Sequence, residues 1–127
     1  MGMVDVEVVN RTAAKPDVDA AIALAREVLE GEGIEEGELG LTFVDSEEIR
    51  ALKRDHLGID ESTDALAFPI DRHDDLPAGL PRQLGDVVIC PDVVGDAWRG
   101  PLVHALLHLV GYDHGTRMKA REQAYAR

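Results

Sequence analysis

Residues 104–114 read HALLHLVGYDH, and this stretch carries the strongest structural signal in the chain. Its first two histidines, His104 and His108, are four residues apart, so on a helix they lie one turn apart on the same face. Gly111 tolerates a positive φ, which allows it to end the helix and turn the chain back. His114 can then approach the first two imidazoles from a loop. The spacing therefore predicts a metal site with His104, His108 and His114 as ligands.

Three imidazole ligands leave one position of a tetrahedral zinc ion open, which is typical of catalytic rather than structural zinc sites. The same spacing occurs in the zinc metalloprotease motif H-E-x-x-H-x-x-G-x-x-H. Here Ala105 follows the first histidine, so the glutamate that serves those proteases as general base is absent. The pattern favours zinc chemistry other than peptide hydrolysis and assigns no catalytic base. The alternative is a packing role, in which each buried imidazole would need hydrogen-bond partners.

The flanking sequence predicts a single α+β domain over residues 1–127. Alternating apolar residues indicate strands, and apolar residues at helical spacing indicate helices. Strands are predicted at 4–9, 39–43, 65–70 and 85–90. A first helix is predicted from Pro16 to residue 29, and a second after a cap at Asp45. Further helices are predicted within 91–100 and at 101–110, and a helix or tail at 118–127. Counted as β-α-β-α-β-β-α-α, this order predicts a mixed sheet of about four strands, with helices packed on it and a zincin-like metal helix. Pro69 places the third strand at an edge, and 71–82 is predicted to be a polar loop.

Composition excludes several classes of protein. With 127 residues, of which 45% are hydrophobic and 30% charged, the chain is expected to fold as one globular domain. No apolar run approaches the ~20 residues of a membrane span, and the single cysteine, Cys90, rules out an intramolecular disulfide. A soluble cytoplasmic protein is the expectation. The net charge of −12 argues against extensive nucleic-acid binding but leaves room for a small basic site.

Three blocks of sequence resemble the YbeY family of endoribonucleases. Residues 104–114 match the family's H-G-x-L-H-L-x-G-Y-D-H at every fixed position except Ala105; 63–69, TDALAFP, is similar to T-D-V-L-S-F-P, and 84–90, LGDVVIC, is similar to L-G-D-I-V-I-C. The resemblance implies a zinc-dependent, single-strand-specific endoribonuclease. It would act in the maturation of the 16S rRNA 3′ end and in ribosome quality control. The implied partners are single-stranded RNA or rRNA, with the small ribosomal subunit as a candidate, and neither DNA nor a membrane.

The chain also departs from the family. Leu57 stands where the family commonly has an arginine thought to hold RNA, and leucine cannot bind phosphate, so that role is not transferred. Asp64 and Asp86 belong to the matched blocks and are expected either to cap turns or to orient a ligand imidazole. His56 and His73 are expected at the surface.

Three functions stay open at this point. The first is the zinc-dependent endoribonuclease that the resemblance implies. The second is a non-catalytic, ribosome-associated factor that keeps zinc for folding, which the acidic charge and the missing arginine favour. The third is a metal-dependent hydrolase of a small substrate, which needs no basic groove.

Overall fold

The computed structural model describes residues 4–60, 63–69, 83–112 and 115–125. In this part of the chain, four strands form one mixed sheet and five helices pack around it. The strands are β1 (Val4–Asn10), β2 (Gly37–Phe43), β3 (Ala65–Pro69) and β4 (Gln83–Ile89). The helices are α1 (Val18–Gly31), α2 (Ser46–Leu57), α3 (Pro91–Val94), α4 (Arg99–Leu109) and α5 (Thr116–Tyr125). The predicted α+β class and four-stranded mixed sheet are confirmed.

The strand order is β1-β2-β4-β3. β1 pairs parallel with β2 and β2 pairs parallel with β4, whereas β3 runs antiparallel to β4. β3 therefore lies at an edge, as Pro69 predicts. The predicted polar loop at 71–82 lies outside the described residues.

Two apolar layers cover the two faces of the sheet. On one face, α1 and α4 bury the larger core, which includes Leu41 and Val87 from the sheet and Leu106 from α4. On the other face, α2 covers a smaller cluster that contains Ile49 and Val88. Helix α4, which carries His104 and His108, is thus packed on β3 and β4 and against α1.

Three helices follow β4, at the three places where the sequence predicts helix, whereas the order β-α-β-α-β-β-α-α counts only two of them. Cys90 is fully buried beside the first of them, and α3 ends at Gly95, whose φ is 53°. α4 begins at Arg99, two residues before the predicted start. Its Pro101 lies in the first turn, where a missing backbone N–H costs no helical hydrogen bond.

Capping side chains fix the starts of the two longest helices. The Asp45 carboxylate accepts a hydrogen bond from the Glu48 amide at 2.8 Å, as predicted for α2. The Asp17 carboxylate accepts one from the Ala20 amide at 3.1 Å. α1 therefore begins at Val18 rather than at the predicted Pro16, because Asp17 is the capping residue.

No helix in the described part of the chain is both long enough and apolar enough to cross a membrane.

Candidate metal centre

Helix α4 presents two of the three predicted ligands on its partly exposed side. Leu102 and Leu106 are buried in the core on the opposite side of the helix. His104 and His108 are half-buried, and their rings meet edge to face with centroids 4.7 Å apart. The His104 side chain remains 40% exposed, so a ligand can reach it from solvent.

Each imidazole is held through its Nδ1 atom. His104 Nδ1 donates to the Glu122 carboxylate on α5 at 2.6 Å. His108 Nδ1 donates to the backbone carbonyl of Tyr112 at 2.9 Å. These acceptors fix the Nδ1–H tautomer of both rings and leave the lone pairs on the Nε2 atoms. Partners of this kind orient metal-ligating histidines in proteins.

The two Nε2 atoms face one another at 3.2 Å. Both atoms are acceptors when both Nδ1 atoms carry the proton, so this contact is unfavourable unless a cation lies between them. Two nitrogen ligands of a tetrahedral zinc ion, each about 2.0–2.1 Å from the metal, are separated by about 3.3 Å. The donor type, tautomer and separation of His104 and His108 therefore fit one zinc ion bound through Nε2.

The segment after α4 turns at the predicted glycine. Gly111 has φ 107°, a conformation that side chains disfavour, and the chain reverses there toward α5. His114 and Asp113 lie outside the described residues, so the third predicted ligand stays a prediction. Within 4–60, 63–69, 83–112 and 115–125, no three metal-ligating side chains gather at one point.

A buried carboxylate ties together the elements that hold the two imidazoles. Glu32, whose side chain is 6% exposed, follows α1. One of its oxygens accepts the Tyr112 hydroxyl at 2.7 Å, and the other accepts Arg121 Nε at 2.9 Å and the Tyr125 hydroxyl at 2.6 Å. Tyr112 supplies the carbonyl for His108, and Arg121 precedes Glu122 on α5. Glu32 therefore anchors both groups that orient the rings.

Hydrogen-bond donors stabilise the ionised form of the Glu32 carboxylate. Burial raises the pKa of Glu32, but hydrogen bonds from Arg121, Tyr112 and Tyr125 outweigh burial and hold the pKa below its ordinary value of 4.5. Donating to this carboxylate raises the pKa of the Tyr112 phenol. Glu32 is therefore ionised, and its hydrogen-bond donors are retained, near neutral pH.

The sequence did not single out Glu122 or Glu32. Glu122 is 18 residues from His104 in a polar segment that was predicted as a helix or tail, and no motif spacing joins the two residues. Glu32 carries no motif at all. Tyr112 lies inside the 104–114 motif, and its hydroxyl donates to Glu32.

Asp64 takes the capping alternative, and Asp86 lies away from α4. Asp64 accepts a hydrogen bond from the backbone amide of Ala65 at 2.7 Å, which is a local cap at the start of β3. Asp86 borders a cavity under α2, on the sheet face opposite α4. The Nδ1 atoms of His104 and His108 are instead bonded to Glu122 and to the Tyr112 carbonyl. The prediction that an aspartate orients a ligand imidazole is therefore wrong for these two histidines.

Leu57 and His56, which the sequence singles out, lie at the end of α2. Leu57 is the last residue of α2 and is 55% exposed. His56 is exposed, as predicted, with its ring 5.1 Å from the ring of Phe68. His73 lies outside the described residues.

Comparison with known proteins decides the family. The family model for endoribonuclease YbeY matches residues 7–125. The chain belongs to the endoribonuclease YbeY family. Among its relatives, the "Endoribonuclease YbeY" of Halorhodospira halophila is 39% identical over 87% of this chain and 82% of that protein. The protein of the same name from Salinispora tropica is 34% identical over 92% of this chain and 87% of that protein.

The fold also matches a solved structure. The solution structure of TM1509 from Thermotoga maritima covers 94% of this chain and 85% of its own, with a TM-score of 0.61 and 22% identity. This likeness supports the α+β fold. Members of the family carry the name of an endoribonuclease, which is a hydrolase of RNA phosphodiester bonds and a class of enzyme compatible with a metal cofactor.

Proposed function

We propose that this chain is a zinc-dependent, single-strand-specific endoribonuclease whose zinc is bound by His104, His108 and His114. Residues 1–127 would form one such domain, acting in the cytoplasm on rRNA, at the 3′ end of 16S rRNA and in ribosome quality control. The small ribosomal subunit is the proposed partner. Membership of the endoribonuclease YbeY family supports the activity. The observation that carries the metal is the 3.2 Å approach of two Nε2 acceptors.

The residues of the proposed site have separate roles. His104 and His108 present lone pairs, Glu122 and the Tyr112 carbonyl fix the orientation of the rings, and Glu32 fixes the position of both acceptors. When bound, zinc supplies Lewis acidity, which polarises a phosphoryl oxygen and offsets developing negative charge. Rigid ligands keep such a site ready before substrate arrives.

The residue after the first histidine takes no part in this chemistry. Ala105 is buried in the core, and its methyl side chain cannot accept a proton. The general base that the zinc proteases have at this position is therefore absent, so the proposal does not include peptide hydrolysis by that mechanism.

Cleavage of RNA by the purified protein tests this proposal. We expect a labelled single-stranded RNA to be cut, the matched duplex to resist, a chelator to stop the reaction, and added zinc to restore it. His108→Ala should abolish cleavage. Zinc uptake without cleavage of RNA or small phosphodiesters would favour the non-catalytic ribosome-associated factor. Zinc-dependent cleavage of small phosphodiesters alone would favour the small-substrate hydrolase. Either result would overturn the proposal.

A further inference from the structure

Two clefts adjoin each other beside the imidazoles. The first, about 480 Å³, lies between α4 and α5 and is lined by residues that include His104, Lys119 and Glu122. The second, about 390 Å³, continues toward the start of α4 and shares Lys119 and Glu122 with the first. Both volumes fall in the range of about 300–1,000 Å³ that small-ligand clefts have. Together they form a groove, the α4–α5 groove, that leads away from His104.

The groove contains an aromatic ring and charged side chains. The Tyr125 ring lines the second cleft, together with Arg99 and Lys119. Tyr125 is held in place because its hydroxyl donates to Glu32 at 2.6 Å. The ring therefore has a fixed position in the groove.

The groove contains two cations that are not paired with acidic side chains of the described residues. Arg11, Arg50, Arg54 and Arg121 each form an ion pair with an acidic side chain. Arg99 and Lys119, like Lys15, form no ion pair with a described residue. Their charges can therefore contact an anionic ligand beside the candidate metal centre, in a groove that the Glu122 carboxylate also lines.

The surroundings of Arg99 also favour an anionic ligand. Its guanidinium lies 4.5 Å from the centroid of the Trp98 ring, so a flat, partly pre-ordered cation stands at the mouth of the groove. α4 begins here without a side-chain cap, so the first-turn N–H groups add positive potential. Phosphates bound by cations and bases stacked on aromatic side chains are the way in which proteins bind single-stranded RNA.

We infer that the α4–α5 groove binds the nucleotide next to the one cleaved, with its phosphate on Arg99 and Lys119 and its base against the Tyr125 ring. This inference rests on the proposed function for the substrate class. It gives the chain a phosphate-binding site of its own, which compensates for Leu57 at the family's arginine position.

Binding of a short 2′-O-methyl oligouridylate, which resists cleavage, tests the inference on the zinc-loaded protein. Trp98 is the sole tryptophan of the chain, so quenching of its fluorescence reports a ligand at Arg99. We expect saturable quenching by the oligonucleotide. Each phosphate contact contributes about 0.7 to the slope of log affinity against log salt for a single strand.

The double variant Arg99→Gln with Lys119→Gln should reduce that slope by about 1.4. Its affinity for the oligonucleotide at low salt, measured by fluorescence anisotropy, should fall at least tenfold. Lys15→Gln is the matched control, because Lys15 is exposed, forms no ion pair with a described residue, and lines neither cleft. A double variant with the slope and affinity of the control would overturn the inference. Equal zinc content and melting temperature in all three proteins confirm that the changes are local.

The binding and cleavage experiments distinguish failure of the groove proposal from failure of the endoribonuclease proposal. If the oligonucleotide binds in the groove but the protein cuts no RNA, the endoribonuclease proposal fails and the groove stands. If RNA is cut and the double variant binds and cuts like the control, the groove fails and the endoribonuclease stands. If the wild-type protein neither binds nor cuts RNA, both fail.

Discussion

The hydrogen bond from His104 to Glu122 is the residue-scale feature with the clearest consequence. A carboxylate that accepts from Nδ1 orients the ring and strengthens Nε2 as a ligand. Glu122→Gln replaces this acceptor with a neutral amide, so we expect zinc affinity to fall by about 10- to 100-fold. Competition with a chromophoric chelator measures that affinity.

Glu27→Gln provides the control for this loss. Glu27 is exposed on α1, and its substitution changes the net charge by the same amount. Equal zinc affinities in Glu122→Gln and Glu27→Gln would show that the carboxylate on α5 does not support the site.

Leu57 gives a second prediction at this scale. Because it is 55% exposed, an arginine there would not disturb the core. If the RNA strand passes this position, as the family pattern implies, Leu57→Arg should steepen the salt dependence of binding by about 0.7, one phosphate contact on a single strand. An unchanged slope, measured by anisotropy with unchanged zinc content, would place the RNA path away from the end of α2.

At the scale of elements, Glu32 joins α1, the turn after α4, and α5. Removing the charge weakens the hydrogen bonds that Arg121, Tyr112 and Tyr125 donate to this carboxylate. We expect Glu32→Gln to lower the melting temperature by roughly 5 °C. Calorimetry of the two proteins measures the change. A melting temperature within error of wild type would mean that the cluster does not stabilise the fold.

The same substitution predicts a pH dependence. The pKa of Glu32 is lowered in the folded protein, so its contribution to stability is present above the ordinary value of 4.5 and is lost as pH falls through the lowered value. The difference in free energy of unfolding between wild type and Glu32→Gln should therefore shrink as pH falls below 4.5. Urea unfolding at a series of pH values measures it, and a difference that grew toward acid pH would contradict this account.

The sequence predicted elements well where a local signal existed. Apolar alternation located β1 and β2, and short apolar runs located β3 and β4. Asp45 marked the start of α2, and Pro69 marked an edge strand. The start of α4 was misplaced because Pro101 also fits a first turn. Glu32 and Glu122 were not predicted, because contacts between α1 and α5 arise from tertiary packing and leave no periodic trace in the chain.

At the scale of the whole molecule, metal binding should be linked to folding. A ligand that binds only the folded state stabilises it by about 2.7 kcal/mol at 100 times its dissociation constant. We expect zinc to raise the melting temperature of the wild-type protein and to have little effect on His108→Ala. Thermal unfolding with and without zinc measures both. An equal rise in the two proteins would place the bound zinc elsewhere.

We expect His104 and His108 to bind one zinc ion through their Nε2 atoms. Anomalous diffraction from crystals of the zinc-loaded protein, recorded on both sides of the zinc absorption edge, tests this directly. We expect one strong anomalous peak about 2.0–2.1 Å from both Nε2 atoms, with the Nδ1 atoms still bonded to Glu122 and to the Tyr112 carbonyl. A peak elsewhere, coordination through Nδ1, or no peak in zinc-loaded crystals would contradict it.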